Sequence, residues 1–92
     1  MNTYQLFMGR DIPNGGYVTD EDFDKFLRIV DTIVDGYTVQ DAQGVWEGER
    51  EDTKVMTIFA PYESVLEVAR VYKDAFKQLA VGLVVLPGME FV

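Results

Sequence analysis

From Phe23 onward the chain places Phe26, Leu27, Val30, Ile33 and Val34 at offsets of 3, 4, 7, 10 and 11. That spacing gathers all six side chains on one side of a helix with 3.6 residues per turn. The stripe is narrow and the opposite side is charged, so the helix must lie on something flat. A sheet is the usual partner. Thr19 stands just ahead of the stripe, where a hydroxyl accepts from a free backbone N–H of the first turn, and Asp22 occupies the reciprocal capping position. Asp20, Glu21 and Asp22 complement the positive end of the helix dipole. Gly36 reads as the C-terminal stop.

Around this helix the hydrophobic period changes from 3.6 to two. Residues 3–9 alternate Tyr4, Leu6 and Met8 with Gln5 and Phe7, which reads as a strand ended by Gly9. The loop Arg10-Asp11-Ile12-Pro13-Asn14-Gly15-Gly16 leads from it to the helix. Tyr37 to Trp46 reads as a second strand, and Thr53 to Ala60 as a third. Between them Glu47 to Asp52 is a charged turn, so the two strands form a hairpin. Ser64 with Glu67 forms a second capping box, and Val65, Val68, Ala69, Tyr72, Phe76 and Leu79 form a second helical stripe. Val81 to Leu86 is a fourth strand, apolar on both faces, turned by Pro87-Gly88.

The order is β-α-β-β-α-β. It predicts an α+β, ferredoxin-like sandwich: a four-stranded antiparallel sheet with both helices on one face, formed as a single domain over residues 1–92. Right-handed crossovers fix its topology. Two helices cover one face only. Phe7, one of Thr38 and Val39, one face of the third strand, and one of Val84 and Val85 then point the other way. A bare apolar face of that kind is uncommon on a soluble monomer, so a cover is expected. The preferred cover is a second copy about a two-fold axis. The alternative is the segment Met89 to Val92 folded back over it.

Composition removes several functions. With no Cys and no His among 92 residues, disulfide frameworks, the usual zinc, haem and iron–sulfur sites, and any His-based catalysis are excluded. No cofactor and no metal is expected. The longest apolar run, Val81 to Leu86, is six residues long, against the roughly 20 needed to span a bilayer. No basic leader precedes an apolar segment. The expectation is a cytoplasmic protein with no membrane partner. Sixteen acids against eight bases leave a net charge of −8, which opposes nucleic acid. The third strand, Thr53 to Ala60, also lacks the glycines and most of the aromatics of an RNA-recognition strand. No nucleic-acid partner is expected.

A set of residues with unusual spacing runs along the chain: Gly9-Arg10, Gly15-Gly16, Val18-Thr19-Asp20 and Phe26-Leu27. It continues with Gly36-Tyr37-Thr38-Val39-x-Asp41-Ala42-x-Gly44-x-Trp46, then Tyr72, Phe76-x-Gln78 and Val81. In these residues the chain resembles a family of small bacterial proteins known as domain of unknown function 3574. The Gly36–Trp46 segment is the most specific part. The resemblance implies a fold; it implies no activity.

Three constellations are candidates for a site. Asp41 sits mid-strand, where Asp is depleted, and Gly44 suggests a bulge or a close backbone approach. Asp41 and Trp46, with Arg10 from the end of the first strand, would wall a small-molecule pocket; the competing reading gives Asp41 a local hydrogen bond and Trp46 a packing role. The Gly15-Gly16 loop matches no phosphate-binding pattern, and the acids that follow it repel phosphate. Asp20-x-Asp22-x-Asp24 imitates a calcium loop but has Lys25 where glycine is required.

Acidity is also lopsided. Asp20, Glu21, Asp22, Asp24, Asp31 and Asp35 flank or lie on the first helix against Lys25 and Arg28. That surface would dock on a basic protein, with Asp20, Asp24 and Asp31 as contacts, or simply aid solubility. Three functions follow. The preferred one is a non-catalytic binding or protein-interaction module acting as a homodimer, with no catalytic residue assigned. The others are a small-molecule binder or enzyme using Arg10, Asp41 and Trp46, and an acidic inhibitor, phage-borne in one version, that mimics nucleic-acid charge.

Overall fold

A computed structural model describes residues 2–92. The elements are β1 (Asn2–Gly9), α1 (Asp20–Val30), β2 (Tyr37–Trp46), β3 (Glu49–Ala60), α2 (Tyr62–Ala75) and β4 (Gly82–Leu86). The four strands form one sheet in the order β2-β3-β1-β4, with every neighbouring pair antiparallel. This is the expected β-α-β-β-α-β ferredoxin-like arrangement.

Alternation decides which face is buried. Tyr4, Leu6 and Met8 of β1 and Met56, Ile58 and Ala60 of β3 point to one face and are buried. Phe23, Phe26 and Val30 of α1 and Val65, Val68 and Tyr72 of α2 meet them there in one continuous apolar core. Both helices therefore lie on the same face. Each fully buried side chain of this size is worth about 1.5–3 kcal/mol. Aromatic rings tie the helices together: Phe26 meets Tyr72 edge-on at 5.1 Å between centroids.

Helix α1 starts as expected. Thr19 accepts from the Asp22 backbone N–H at 3.1 Å, and the Asp22 carboxylate accepts from the Thr19 N–H at 3.3 Å. It ends six residues before Gly36, so Gly36 is not its stop. The Thr32 hydroxyl donates to the Ile29 carbonyl at 2.7 Å, and the backbone tightens to three-residue bonds at Thr32 and Ile33. The tightened turn continues in the same direction, so Val34 still reaches the core.

Helix α2 starts earlier than expected. Pro61 is the N-cap residue, extended at φ −61° and ψ 146°, with no side-chain cap bond. Ser64 lies inside the helix, its N–H donating to the Pro61 carbonyl. Proline presets the backbone angle for helix entry, so no hydroxyl cap is required. The C-terminus closes on Lys77 in the left-handed region at φ +52°, with the Gln78 N–H donating to the Lys73 carbonyl at 2.9 Å. Leu79 falls beyond this cap and is exposed, not part of the helical stripe.

The charged segment Glu47 to Asp52 is mostly strand. Only Glu47 and Gly48 form the turn, both with positive φ, the geometry of a two-residue hairpin loop. Pairing is continuous from Tyr37↔Ile58 to Trp46↔Glu49, so Gly44 marks no bulge. A side chain there would come within 3.3 Å of the Thr53 hydroxyl, which is the close approach alone. Strand β1 stops at Gly9↔Thr53, so the hairpin beyond that row is a two-stranded arm. The arm carries exposed Val45 and Trp46 at its tip. It gives the molecule its length of 41 Å against widths of 27 and 21 Å.

Candidate functional site

The other face of the sheet holds Thr3, Gln5 and Phe7 of β1, Thr53, Val55, Thr57 and Phe59 of β3, Thr38, Gln40 and Ala42 of β2, and Val84 and Leu86 of β4. Of the paired alternatives in the sequence, Thr38 and Val84 take this face, while Val39 and Val85 take the helix side. No residue of this set is charged. Phe7 and Val84 are each 40% exposed. The segment after β4 returns over part of the face, where the Phe91 ring meets Phe59 edge-on at 5.7 Å. The tail therefore covers the β3 end of the face and leaves Phe7 and Val84 open.

At the end of β1, Arg10 is buried to 8% exposure. Its Nε donates to the Val18 carbonyl at 2.9 Å, and its Nη2 bonds and pairs with Asp20 Oδ1 at 2.9 Å. The guanidinium also lies 4.6 Å over the Tyr17 ring. The backbone closes the same loop, with the Val18 N–H donating to the Arg10 carbonyl at 2.7 Å. From α2, the Tyr72 hydroxyl donates to the Gly9 carbonyl and the Gln78 amide to the Asp11 carbonyl at 3.0 Å. From β3, the Glu51 carboxylate accepts from the Asp11 N–H at 3.1 Å and lies where a side chain on Gly9 would stand. Gly9, Arg10, Asp20, Tyr72 and Gln78 thus form one hydrogen-bonded junction. Residues far apart in sequence hold the loop after β1 in a single shape.

A shallow cleft of about 380 Å³ adjoins this junction, lined by Arg10, Asp41, Gln43 and Asp52 among others. Arg10 and Asp41 are brought together there. Trp46 is at the tip of the arm and does not line the cleft. Asp41 pairs with Lys54, whose hydrogen bond and charge hold the carboxyl below its usual range. Lys54 in turn rests 5.0 Å over the Phe23 ring. All three charged residues of the cleft are therefore already bonded within the chain, Arg10 to Asp20, Asp41 to Lys54 and Asp52 to the Tyr17 hydroxyl.

The acidic surface is likewise partly engaged. Asp20 is bonded to Arg10, and Asp31 accepts from the Tyr37 hydroxyl. Burial, followed by that bond to Asp31, pushes the Tyr37 phenol up to about 12. Asp24 is exposed on α1. Among the described residues no cluster of three acidic side chains is placed to hold a metal ion, and no helix is long and apolar enough to cross a membrane.

At the opposite end of the strands lies a larger cavity of about 460 Å³. Its floor is Thr57 and Phe59 of β3, its walls are the Ile33–Tyr37 segment and the start of α2, and Met89 and Phe91 close one side. No local pattern announces it, because four separate segments contribute. The one available signal was Phe91, an aromatic residue after the last strand with no partner in its own segment.

The family model described as "Protein of unknown function (DUF3574)" matches residues 3–90, and the chain belongs to that family. No curated protein matches the sequence. Among solved structures the chain is similar to a phage SAM lyase in its apo state, at 16% identity and a TM-score of 0.59, over 98% of this chain and 91% of that one. At that identity the likeness is one of fold.

Proposed function

We propose that the chain is a non-catalytic binding module that acts as a homodimer, paired through the open face of the sheet. The observation that carries this reading is the absence of charge on that face within the four-stranded part of the sheet; Glu49 and Glu51 lie on the same side only out on the two-stranded arm. The chain bears −8 overall, so two copies approach each other favourably only where neither presents a carboxylate. The open face has that character there and also leaves Phe7 and Val84 exposed on the adjacent strands β1 and β4. Uncharged within the sheet, with apolar side chains interspersed among threonines and glutamines, it suits a second copy about a two-fold axis.

Support for a non-catalytic role comes from the titrating groups. Phenols at Tyr17, Tyr37 and Tyr72 are raised, each with burial as the first cause, and Asp41 is lowered. All four move away from neutrality, whereas a general acid or base gains by moving toward it. The acidic-mimic reading has weaker support, since Asp20 and Asp31 already serve internal bonds.

Molar mass in solution by light scattering tests the reading. Twice 10.5 kDa is expected for the native chain, and a single chain for Val84→Asp, which places a carboxylate on the open face. A native chain that stays at 10.5 kDa across the micromolar range overturns the dimer.

A further inference from the structure

The cavity at the α1–β2 end shares Thr38, Thr57 and Phe59 with the edge of the open face, under the returning tail, and has a chemistry of its own. Its volume of about 460 Å³ falls within the range of small-molecule sites, roughly 300–1,000 Å³. Aromatic residues line it from three parts of the chain: Phe59 on β3, Phe91 from the segment after β4, and Tyr37 at the start of β2, whose side chain takes the helix side and bonds Asp31. Phe59 and Phe91 already meet edge-on, so their faces are set by each other. Its polar lining residues are Thr38, Thr57 and Ser64, and its charged lining residue is Asp35. No Lys or Arg lines it.

An anion entering this space would meet aromatic faces, a carboxylate and a chain of net charge −8, with no base to receive it. A cation meets the reverse. Ring faces attract positive charge, and a nearby carboxylate adds to that attraction. The apolar floor requires the rest of the ligand to be flat or greasy rather than a bare ammonium ion. We propose that this cavity binds an organic cation with an aromatic or apolar body, packed against the Phe59–Phe91 pair with its charge toward Asp35.

The test uses two probes of equal size and opposite charge, N-methylquinolinium and quinoline-8-sulfonate, titrated into the isotopically labelled chain and followed by amide NMR shifts. The quinolinium is expected to move the signals of Tyr37, Phe59, Ser64 and Phe91, and the sulfonate to leave them in place. Asp35→Asn, a change at an exposed position, is expected to weaken the cation about three- to five-fold while preserving the spectrum of the fold. Phe59→Leu keeps the apolar floor and removes a ring, and a loss of cation binding there is expected as well. Equal binding of the sulfonate, or no shift at those four amides with the quinolinium, overturns the proposal.

Discussion

The Tyr72 hydroxyl donates to the Gly9 carbonyl at 2.6 Å, joining α2 to the last residue of β1 across 63 positions of sequence. Tyr72 is fully buried among Phe23, Phe26 and Phe76, and burial drives its phenol well above the ordinary range. Tyr72→Phe keeps those ring contacts and removes one buried donor. The Gly9 carbonyl then lacks that partner, and a loss of about 1–2 kcal/mol is expected. Denaturant unfolding reads it as a lower midpoint at unchanged slope. A variant as stable as the native chain would show that the bond contributes nothing net.

Arg10 and Asp20 form a pair with very unequal surroundings, at 9% and 86% side-chain exposure. Removing the exposed partner should matter little, because the charge left behind keeps its bond to Val18 and its contact with Tyr17. Asp20→Asn is expected to cost under about 1 kcal/mol. Arg10→Lys loses the planar fork that reaches Val18 and Asp20 together, and about 1–3 kcal/mol is expected. Thermal unfolding of the two variants side by side gives the comparison, and similar losses would refute the asymmetry.

Thr3 has a buried side-chain oxygen with no hydrogen-bond partner. It lies on the open face opposite Phe59 and Leu86, at 4% exposure. Valine has nearly the same shape, suits a strand and carries no hydroxyl to desolvate. Thr3→Val is therefore expected to stabilise the fold by about 1 kcal/mol. A destabilised variant would mean that the hydroxyl finds a partner, such as a water or the second copy.

Tyr37 gives the fold an alkaline limit. Its phenol is raised in the folded chain from 10.0 to about 12, by burial and then by the bond to Asp31. The folded state holds the proton more tightly than the unfolded state does. The resulting stability is complete below about pH 10 and is lost as pH rises toward about 12. Tyr37→Phe is expected to show a shallower decline across that window, measured as melting temperature against pH. Parallel curves for the two proteins would exclude Tyr37 as the source.

Much of the architecture was legible because it rests on local periodicity. The stripe from Phe23, the capping box at Thr19 and the alternation of Tyr4, Leu6 and Met8 each follow from short-range geometry, and each occurs as the spacing requires. Element ends were less legible. Ser64 with Glu67 has the form of a cap, yet Pro61 starts the helix first, and Thr32 tightens α1 before Gly36 is reached. Both outcomes turn on which of two competing hydrogen-bonding schemes the neighbouring residues favour.

The site divides along the same line. Asp41 as an oddity within a strand was visible in the sequence, but its partner Lys54 is fixed by strand register, not by spacing. Arg10, Asp41 and Trp46 looked like one group, yet the arm carries Trp46 away from the other two. By itself the sequence determined the order of elements, the two apolar stripes and the strong negative charge, since these depend on residue type and on contacts a few positions apart. Only the tertiary structure decided that Tyr72 and Gln78 hold the loop after β1, that the four-stranded part of the open face carries no charge, and that Phe91 returns to close a cavity. Each of those facts joins residues tens of positions apart, and such meetings are set by strand order and register, which no local pattern encodes.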